Sequence, residues 1–404
     1  MAISTPLSRV IDLVGQMTVD DAGGFQMQLS GNAAEPPDPP DPEPEPPPEN
    51  VITITPGGGD DTGRVQDALN DLQPGYALML SGMFSIGNTL WLDGQDKRVM
   101  GDPAKQSGFW PAHAGMNGHY GALLCTTPDT MRCRITGLEF DGGGKPVEMV
   151  FFDAGEGNSI EDCYLHDIAY DSAGPPFAAI HSQNTVNLRV VGNTVKRTTG
   201  IDGGAGVRGI WVPGRSGTVI ENNETRETGH TGIALEGGNG VVRGNRVYDS
   251  LTQGTGYKLC YRGSGVYRRR AVGANAQPVM IFSDNSVSGT VGAGLMLENC
   301  ASIAVAVANN VFENCGRQGT TFGAVYSMSY ANGLRMAGNS IRNCRAVACF
   351  RQLHTSALQD NTISGGSDVI YLEDDCHEIT VTHSGRVNIG KNCSGITQDG
   401  QVIA

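Results

Sequence analysis

Three short runs in this chain end an apolar stretch with a carboxylate: Ile233-Ala234-Leu235-Glu236, Leu295-Met296-Leu297-Glu298 and Ile370-Tyr371-Leu372-Glu373. Paired carboxylates are the working groups of glycoside hydrolysis, one protonating the leaving oxygen while the other activates water or attacks the sugar. Glu236 and Glu298 are therefore the candidate catalytic pair, although a charge at the end of a strand is also what a plain solvated face looks like. A second group is aromatic. His181, Trp211, Tyr326, Phe350 and Tyr371 come from runs such as Ala179-Ile180-His181 and Gly209-Ile210-Trp211-Val212. On an outward face these rings can stack on the apolar CH faces of sugars, or fill a contact between protomers. A third group lies between Thr252 and Gln277, where Tyr257, Lys258, Tyr261, Arg262, Tyr267, Arg268, Arg269 and Arg270 make a basic, aromatic stretch in an acidic protein. It suits an anionic polysaccharide, or ion pairs with a neighbouring protomer. Elimination on an acidic sugar needs a base and a neutralising cation, a role open to Arg208, Arg243 or Lys258.

Other chemistries lack their motifs. There is no Gly-rich phosphate loop, zinc spacing or nucleophile elbow, and no repeated Asp cluster that would fix calcium. Asp202 and the Asp167/Asp171 pair read as turn formers. No cofactor or metal is expected. The ten cysteines have no CxxC spacing, and four occur as Asn-Cys pairs at 299–300, 314–315, 343–344 and 392–393. That recurrence suggests small buried free thiols rather than a disulfide framework. A net charge of −14 gives no generic attraction to nucleic acid or to an anionic membrane. No window of eighteen apolar residues calls for membrane insertion. Met1 to Asp20 lacks the pattern of a secretory signal, which favours synthesis in the cytoplasm and delivery by another route.

What must position the candidates is a repeat. The phrase apolar-x-(Gly/Asn/Asp)-Asn-x-apolar centres on Asn193, Asn223, Asn245, Asn285, Asn310, Asn339 and Asn361, with Leu138 and Cys163 in the same slot of two weaker copies. The intervals average roughly 28 residues, the period of a solenoid. Each carries short Val/Ile/Leu runs punctuated by Gly and Asn, and none carries a convincing amphipathic helix. The fold expected is all-β, a right-handed parallel β-helix in which stacked coils share one core. The Asn residues form a structural ladder at one turn, where Asn tolerates the left-handed conformation and its amide can bond the next rung. Glu236 and Glu298 fall thirteen residues after their Asn anchors and Glu373 twelve after its own, so the three share a column. With one coil between them, Glu236 and Glu298 are expected roughly 9–10 Å apart.

Ahead of the coils the chain changes character. Residues 35–50 are a Pro/acidic linker that prefers polyproline II. Residues 1–34 hold a β-hairpin pattern around Asp20-Asp21-Ala22-Gly23-Gly24, too short to be stable alone, and read as an anchor segment. Residues 51–404 form the capped β-helix domain. Val65, Ala68, Leu69 and Leu72 line one face of a short helix ended by Pro74-Gly75, which covers the first coil.

Asp60-Asp61-Thr62, the Val65-Gln66-x-Ala68-Leu69 helix, Ala77-Leu78-Met79-Leu80 and Gly82-x-Phe84-x-Ile86 resemble the entrance to pectate-lyase-like β-helix domains. The resemblance departs at Ile54-Thr55-Pro56-Gly57-Gly58-Gly59, which replaces the usual aromatic-x-Ala-x-Gly-Asp-Gly lead-in. That superfamily contains lyases, hydrolases, epimerases and phage tailspikes or tail fibres, so the fold leaves the activity open. An anchor, a stiff linker and a capped β-helix together are similar to the layout of phage tailspikes. The resemblance implies a homotrimeric virion protein of the tail, attached to other virion proteins through residues 1–34 and contacting host surface polysaccharide. A free polysaccharide lyase or glycoside hydrolase is the alternative from another class, and a structural head-fibre or decoration protein is a third.

Overall fold

The computed structural model describes residues 17–19, 25–27, 50–113, 121–169, 177–199, 207–250, 255–260, 279–300, 303–317, 323–327, 329–382 and 385–404. Arg262, Arg268, Arg269, Arg270, Asp171 and Asp202 lie outside them. The chain divides into two compact units, Met1–Pro47 and Pro48–Ala404. In the first, Met17–Val19 pairs antiparallel with Phe25–Met27, Met17 opposite Met27.

The second unit is a parallel β-helix. Its described strands form sheets of sixteen, eleven and twelve, laid down in chain order so that the central coils contribute to all three. The first sheet begins with Val51–Ile54 and Ala77–Leu80, the second with Met83–Ile86 and Gly108–Pro111, the third with Leu90–Leu92 and Leu124–Thr126. Neighbouring coils pair parallel and in register, as in Glu221 beside Arg243 and Leu235 beside Leu259. Side chains alternate along each strand, so one apolar set from each sheet stacks inside, including Leu78, Val190, Leu235, Phe282 and Leu372.

The Asn ladder is present and nearly sealed from solvent. Asn193 N–H and Nδ2 both donate to Asn223 Oδ1 at 2.9 Å, and Asn223 donates in the same way to Asn245 Oδ1 at 2.9 Å. The pattern repeats through Asn285, Asn310, Asn339 and Asn361. The left-handed residue is the one before each Asn: Gly192, Asn222, Gly244, Asp284, Asn309, Gly338 and Asp360 have φ between 53° and 68°. That position explains the Gly/Asn/Asp preference in the repeat, because only these types enter this region readily. Cysteine occupies the equivalent slot after other left-handed residues, at Asn299-Cys300, Asn314-Cys315, Asn343-Cys344, Asp375-Cys376 and Asn392-Cys393. Each thiol lies near a carbonyl of the preceding coil, as Cys344 Sγ does to Phe312 O at 3.6 Å. All ten cysteines are free, and Cys393 alone is not fully buried.

The amphipathic run forms helix α1, Thr62–Asp71, which buries Val65 and Leu69 on the core. Two sheets begin with strands whose outer edge needs partners. Asp61 N–H donates to Ser85 O at 2.8 Å on the second sheet. At the third, Gln66 acts as a one-residue strand: its Oε1 accepts from Trp91 N–H at 2.8 Å and its Nε2 donates to Trp91 O at 3.0 Å. Truncating Gln66 to alanine removes both of these hydrogen bonds to Trp91 in a part-buried setting. The expected loss is about 1–2 kcal/mol, read as a lower urea midpoint with an unchanged slope.

Candidate functional site

The third sheet carries one outward column along its full length. Trp91, Cys125, Phe151, His181, Trp211, Ala234, Lys258, Met296, Tyr326, Cys349, Tyr371 and Asn388 are paired in sequence from coil to coil. Phe350 is not in it. It pairs with Leu372, is fully buried and belongs to the main core, so the ring expected on the outer face points inward and Cys349 takes its place. Ala348-Cys349-Phe350 offers no polar alternation by which the two faces could be told apart.

Two residues along the same strands, Glu236, Cys260 and Glu298 align in register on consecutive coils. Lys258 Nζ reaches both acids, 3.0 Å from Glu236 Oε1 and 2.6 Å from Glu298 Oε2. One ammonium touching both holds these oxygens to a separation of about 5.6 Å at most, well inside the roughly 9–10 Å expected from rung spacing alone. That upper bound on one oxygen pair lies below the roughly 6.5–9.5 Å between the carboxyl groups of inverting glycosidases and admits the roughly 5–5.5 Å of retaining ones. Glu236 is fully buried, while Glu298 and Lys258 keep 24% and 13% of their side chains exposed, so a solute reaches the centre from the Glu298 side. Glu373 sits farther along, bound by Arg351 Nε at 2.6 Å and by Cys349 Sγ at 3.3 Å.

Toward the N-terminal coils the column becomes an aromatic stack. His181 lies parallel to Trp211, with ring centroids 4.5 Å apart and planes within 6°, and the Arg208 guanidinium sits 4.4 Å from the Trp211 centroid. Buried Glu148 fixes the histidine, its Oε1 lying 3.1 Å from His181 Nδ1 and accepting from Phe177 N–H at 2.9 Å. With His181 and Arg208 both against the indole, its π surface is engaged within the protein. Its Nε1–H is buried and has no hydrogen-bond partner among the described residues. Tyr326 is 6% exposed and packs with Ala293 and Cys349, whereas Tyr371 and Met296 are partly exposed beside it. Tyr371 is thus the candidate aromatic with an accessible face.

Three further groups refine the picture. Arg243 pairs with Glu221 at 2.5 Å on the first sheet, away from this column, and is not the neutralising cation. Asp167 is no isolated turn former: it binds Arg197 and His166 on the second sheet, and the Arg197 hydrogen bond lowers its carboxyl to about 2. His230, in the turn entering Ile233–Glu236, carries no recognisable spacing in the sequence. Burial lowers its imidazole to about 4, assisted by the charges of Arg208 and Lys258 and opposed by Glu236. At neutral pH it is an uncharged base beside two cations and one carboxylate. Lys258 is pushed down by burial, but its hydrogen bond to Glu298 and the charge of Glu236 outweigh this and raise it.

The His230 shift has a thermodynamic consequence. The folded value lies below the ordinary 6.5, so stability is complete above pH 6.5 and falls as pH drops from 6.5 toward about 4, where only the unfolded chain binds the proton. We expect the urea midpoint to decline across this window, and His230→Gln to flatten the decline.

The model of the right handed beta helix region matches residues 117–267, 178–324 and 271–402, more than half of the chain. The chain belongs to the right-handed β-helix family. No curated protein sequence matches it. Among solved structures, this β-helix protein is similar to the catalytic domain of a GH87 alpha-1,3-glucanase in complex with nigerose (TM-score 0.56, 11% identity, covering 89% of this chain and 69% of that one). It is similar to the mannuronan C-5 epimerase A-module of Azotobacter vinelandii (TM-score 0.54, 14% identity, 86% and 94% covered). It is also similar to tailspike protein 3 of bacteriophage CBA120 (TM-score 0.58, 12% identity, 85% and 55% covered). At these identities the likeness establishes the shared β-helix.

Proposed function

We propose that this β-helix protein is a bacteriophage tail spike or fibre that binds host cell-surface polysaccharide on the outer face of its third sheet. The observation that carries the binding reading is the centre built from Arg208, Trp211, His230, Glu236, Lys258 and Glu298, continued by Tyr371. It joins charged donors, carboxylate acceptors and an uncharged imidazole on a long rigid surface, the features that grip a chain of hydroxyl-rich rings. The tailspike assignment is supported by the anchor-linker-helix layout and by the tailspike among the similar structures. In this reading residues 1–34 attach the protein to other virion proteins, residues 35–50 space it out, and three copies assemble.

Two measurements test it. Light scattering on the full-length protein should give about three times the 42.5 kDa chain mass; a single-chain mass removes the trimeric spike. Pull-down with insoluble or immobilised bacterial surface polysaccharides, acidic and neutral, should retain the wild type and lose Arg208→Ala, and retention of none by the wild type removes glycan binding.

A second reading, cleavage of that polysaccharide, is favoured by the short Glu236–Glu298 separation. It requires new reducing ends on prolonged incubation, abolished by Glu298→Gln with binding retained.

A further inference from the structure

Two imidazoles and a carboxylate converge at the C-terminal coils, on a different sheet from the glycan face. His354 is the second residue of the strand Leu353–Gln359 of the first sheet, His377 opens His377–Val381 on the next coil, and the two pair in register. Asp375 is the left-handed residue of the turn leading into His377, with φ 51°, which places its carboxylate over the same end of the strands. One ligand atom from each of the three lies within 4.8 Å of the others, and all three residues are partly exposed.

The hydrogen bonding around them is uneven in an informative way. His377 Nδ1 meets Ser394 Oγ at 2.8 Å on the following coil, which holds the ring and aims Nε2 at Asp375 Oδ1, 3.0 Å away. A ligating histidine is held in this manner, one nitrogen on a neighbour and the other on the metal. His354 is fixed by packing, with its ring 4.5 Å from Tyr330 and 4.9 Å from His377. Its Nε2 is buried and has no hydrogen-bond partner among the described residues. One ring nitrogen of His354 lies within 4.8 Å of the Asp375 and His377 donors, and the ring keeps a buried nitrogen with no partner among the described residues, an arrangement a cation would stabilise.

We propose that His354, Asp375 and His377 form a binding site for a divalent transition metal ion of the zinc, cobalt or nickel kind. Two nitrogens and one carboxylate oxygen suit these borderline ions, whereas calcium and magnesium prefer oxygen-only sets. A tetrahedral zinc spaces its ligand atoms about 3.4 Å apart, so the three donors need to draw in only by side-chain rotation, and a fourth position stays open to water. The ion clips two successive coils near the C-terminal end of the solenoid.

The test uses full-length chain carrying no polyhistidine tag, stripped with EDTA and titrated with ZnCl2 by calorimetry. One zinc per chain is expected, together with a rise in melting temperature that EDTA reverses. His354→Phe keeps the ring against Tyr330 and removes the nitrogen, and Asp375→Asn keeps the shape and removes the charge. Each should weaken zinc at least tenfold while its metal-free melting curve stays near that of the wild type. CoCl2 separates this site from the thiols: a complex lacking the intense near-ultraviolet thiolate band supports it, and a strong thiolate band on the tightest ion overturns it. Wild-type protein that takes up no zinc, or two folded variants that both bind as the wild type does, overturns it equally. If His354→Phe does not fold, Asp375→Asn alone decides.

Discussion

Asn223→Ala is expected to destabilise the protein by about 3–5 kcal/mol, while Asn222→Gly, one residue earlier, stays within about 0.5 kcal/mol of the wild type. Asn223 Oδ1 accepts both the N–H and the Nδ2 of Asn193 at 2.9 Å, and its own Nδ2 donates to Val190 O at 2.8 Å and to Asn245 Oδ1 at 2.9 Å. It is 1% exposed, so no water takes over those bonds when the side chain is removed. Alanine therefore orphans a buried N–H on one coil and strips a carbonyl of its side-chain donor, at about 1–3 kcal/mol for each group left unpaired. Asn222 has the opposite task. It supplies a φ of 55°, which glycine adopts without penalty. Urea unfolding of the two variants checks the pair; equal midpoints would mean that the ladder contributes no more than its backbone conformation.

The contrast also shows where the sequence is readable. A recurrence of Asn every coil is visible because a solenoid repeats its turn chemistry, and the three-sheet β-helix follows from it. The residue bearing the left-handed strain is displaced by one because Asn in the slot and Gly, Asn or Asp before it are both good turn formers; only the dihedrals separate them. The Asn-Cys pairs are the same device with a thiol in the amide's position, which their isolated spacing does not reveal. Side-chain direction is legible where apolar and polar residues alternate, as in Leu295-Met296-Leu297-Glu298. It is not legible in Ala348-Cys349-Phe350, where every residue is compatible with either face. The site was half readable for a related reason. Glu236 and Glu298 share a column because they keep their distance from the Asn anchors, and that register is what the strands show. Their contraction around Lys258 is a matter of side-chain geometry, and His230 and Glu148 enter through turns that break the repeat.

Lys258→Met is expected to cost about 3 kcal/mol and to abolish polysaccharide capture, with a second substitution, Glu236→Gln, restoring at least half of the lost stability. The argument turns on which charge is most deeply buried. Glu236 is fully buried and Lys258 Nζ is 3.0 Å from it, so removing the ammonium leaves a carboxylate with neither water nor this partner. Breaking a buried pair from one side typically costs about 3–5 kcal/mol, and the lower end applies because Lys258 and Glu298 retain some solvent. Methionine fits the space of the lysine stem between Ala234 and Met296, its neighbours in the column, so the loss reports charge rather than packing. Neutralising Glu236 removes the buried charge that has lost its ammonium, and the recovery is a coupling energy that two independent defects would not show. Glu298→Gln alone should cost under about 1 kcal/mol, because Lys258 keeps Glu236 and the replaced acid is a quarter exposed. Capture and stability then separate the roles of the centre. A Lys258→Met/Glu236→Gln double variant that regains stability but not polysaccharide makes Lys258 a binding residue. One that regains both reduces the Glu236–Lys258–Glu298 centre to a structural clasp between coils and moves the glycan contact to Arg208 and Tyr371.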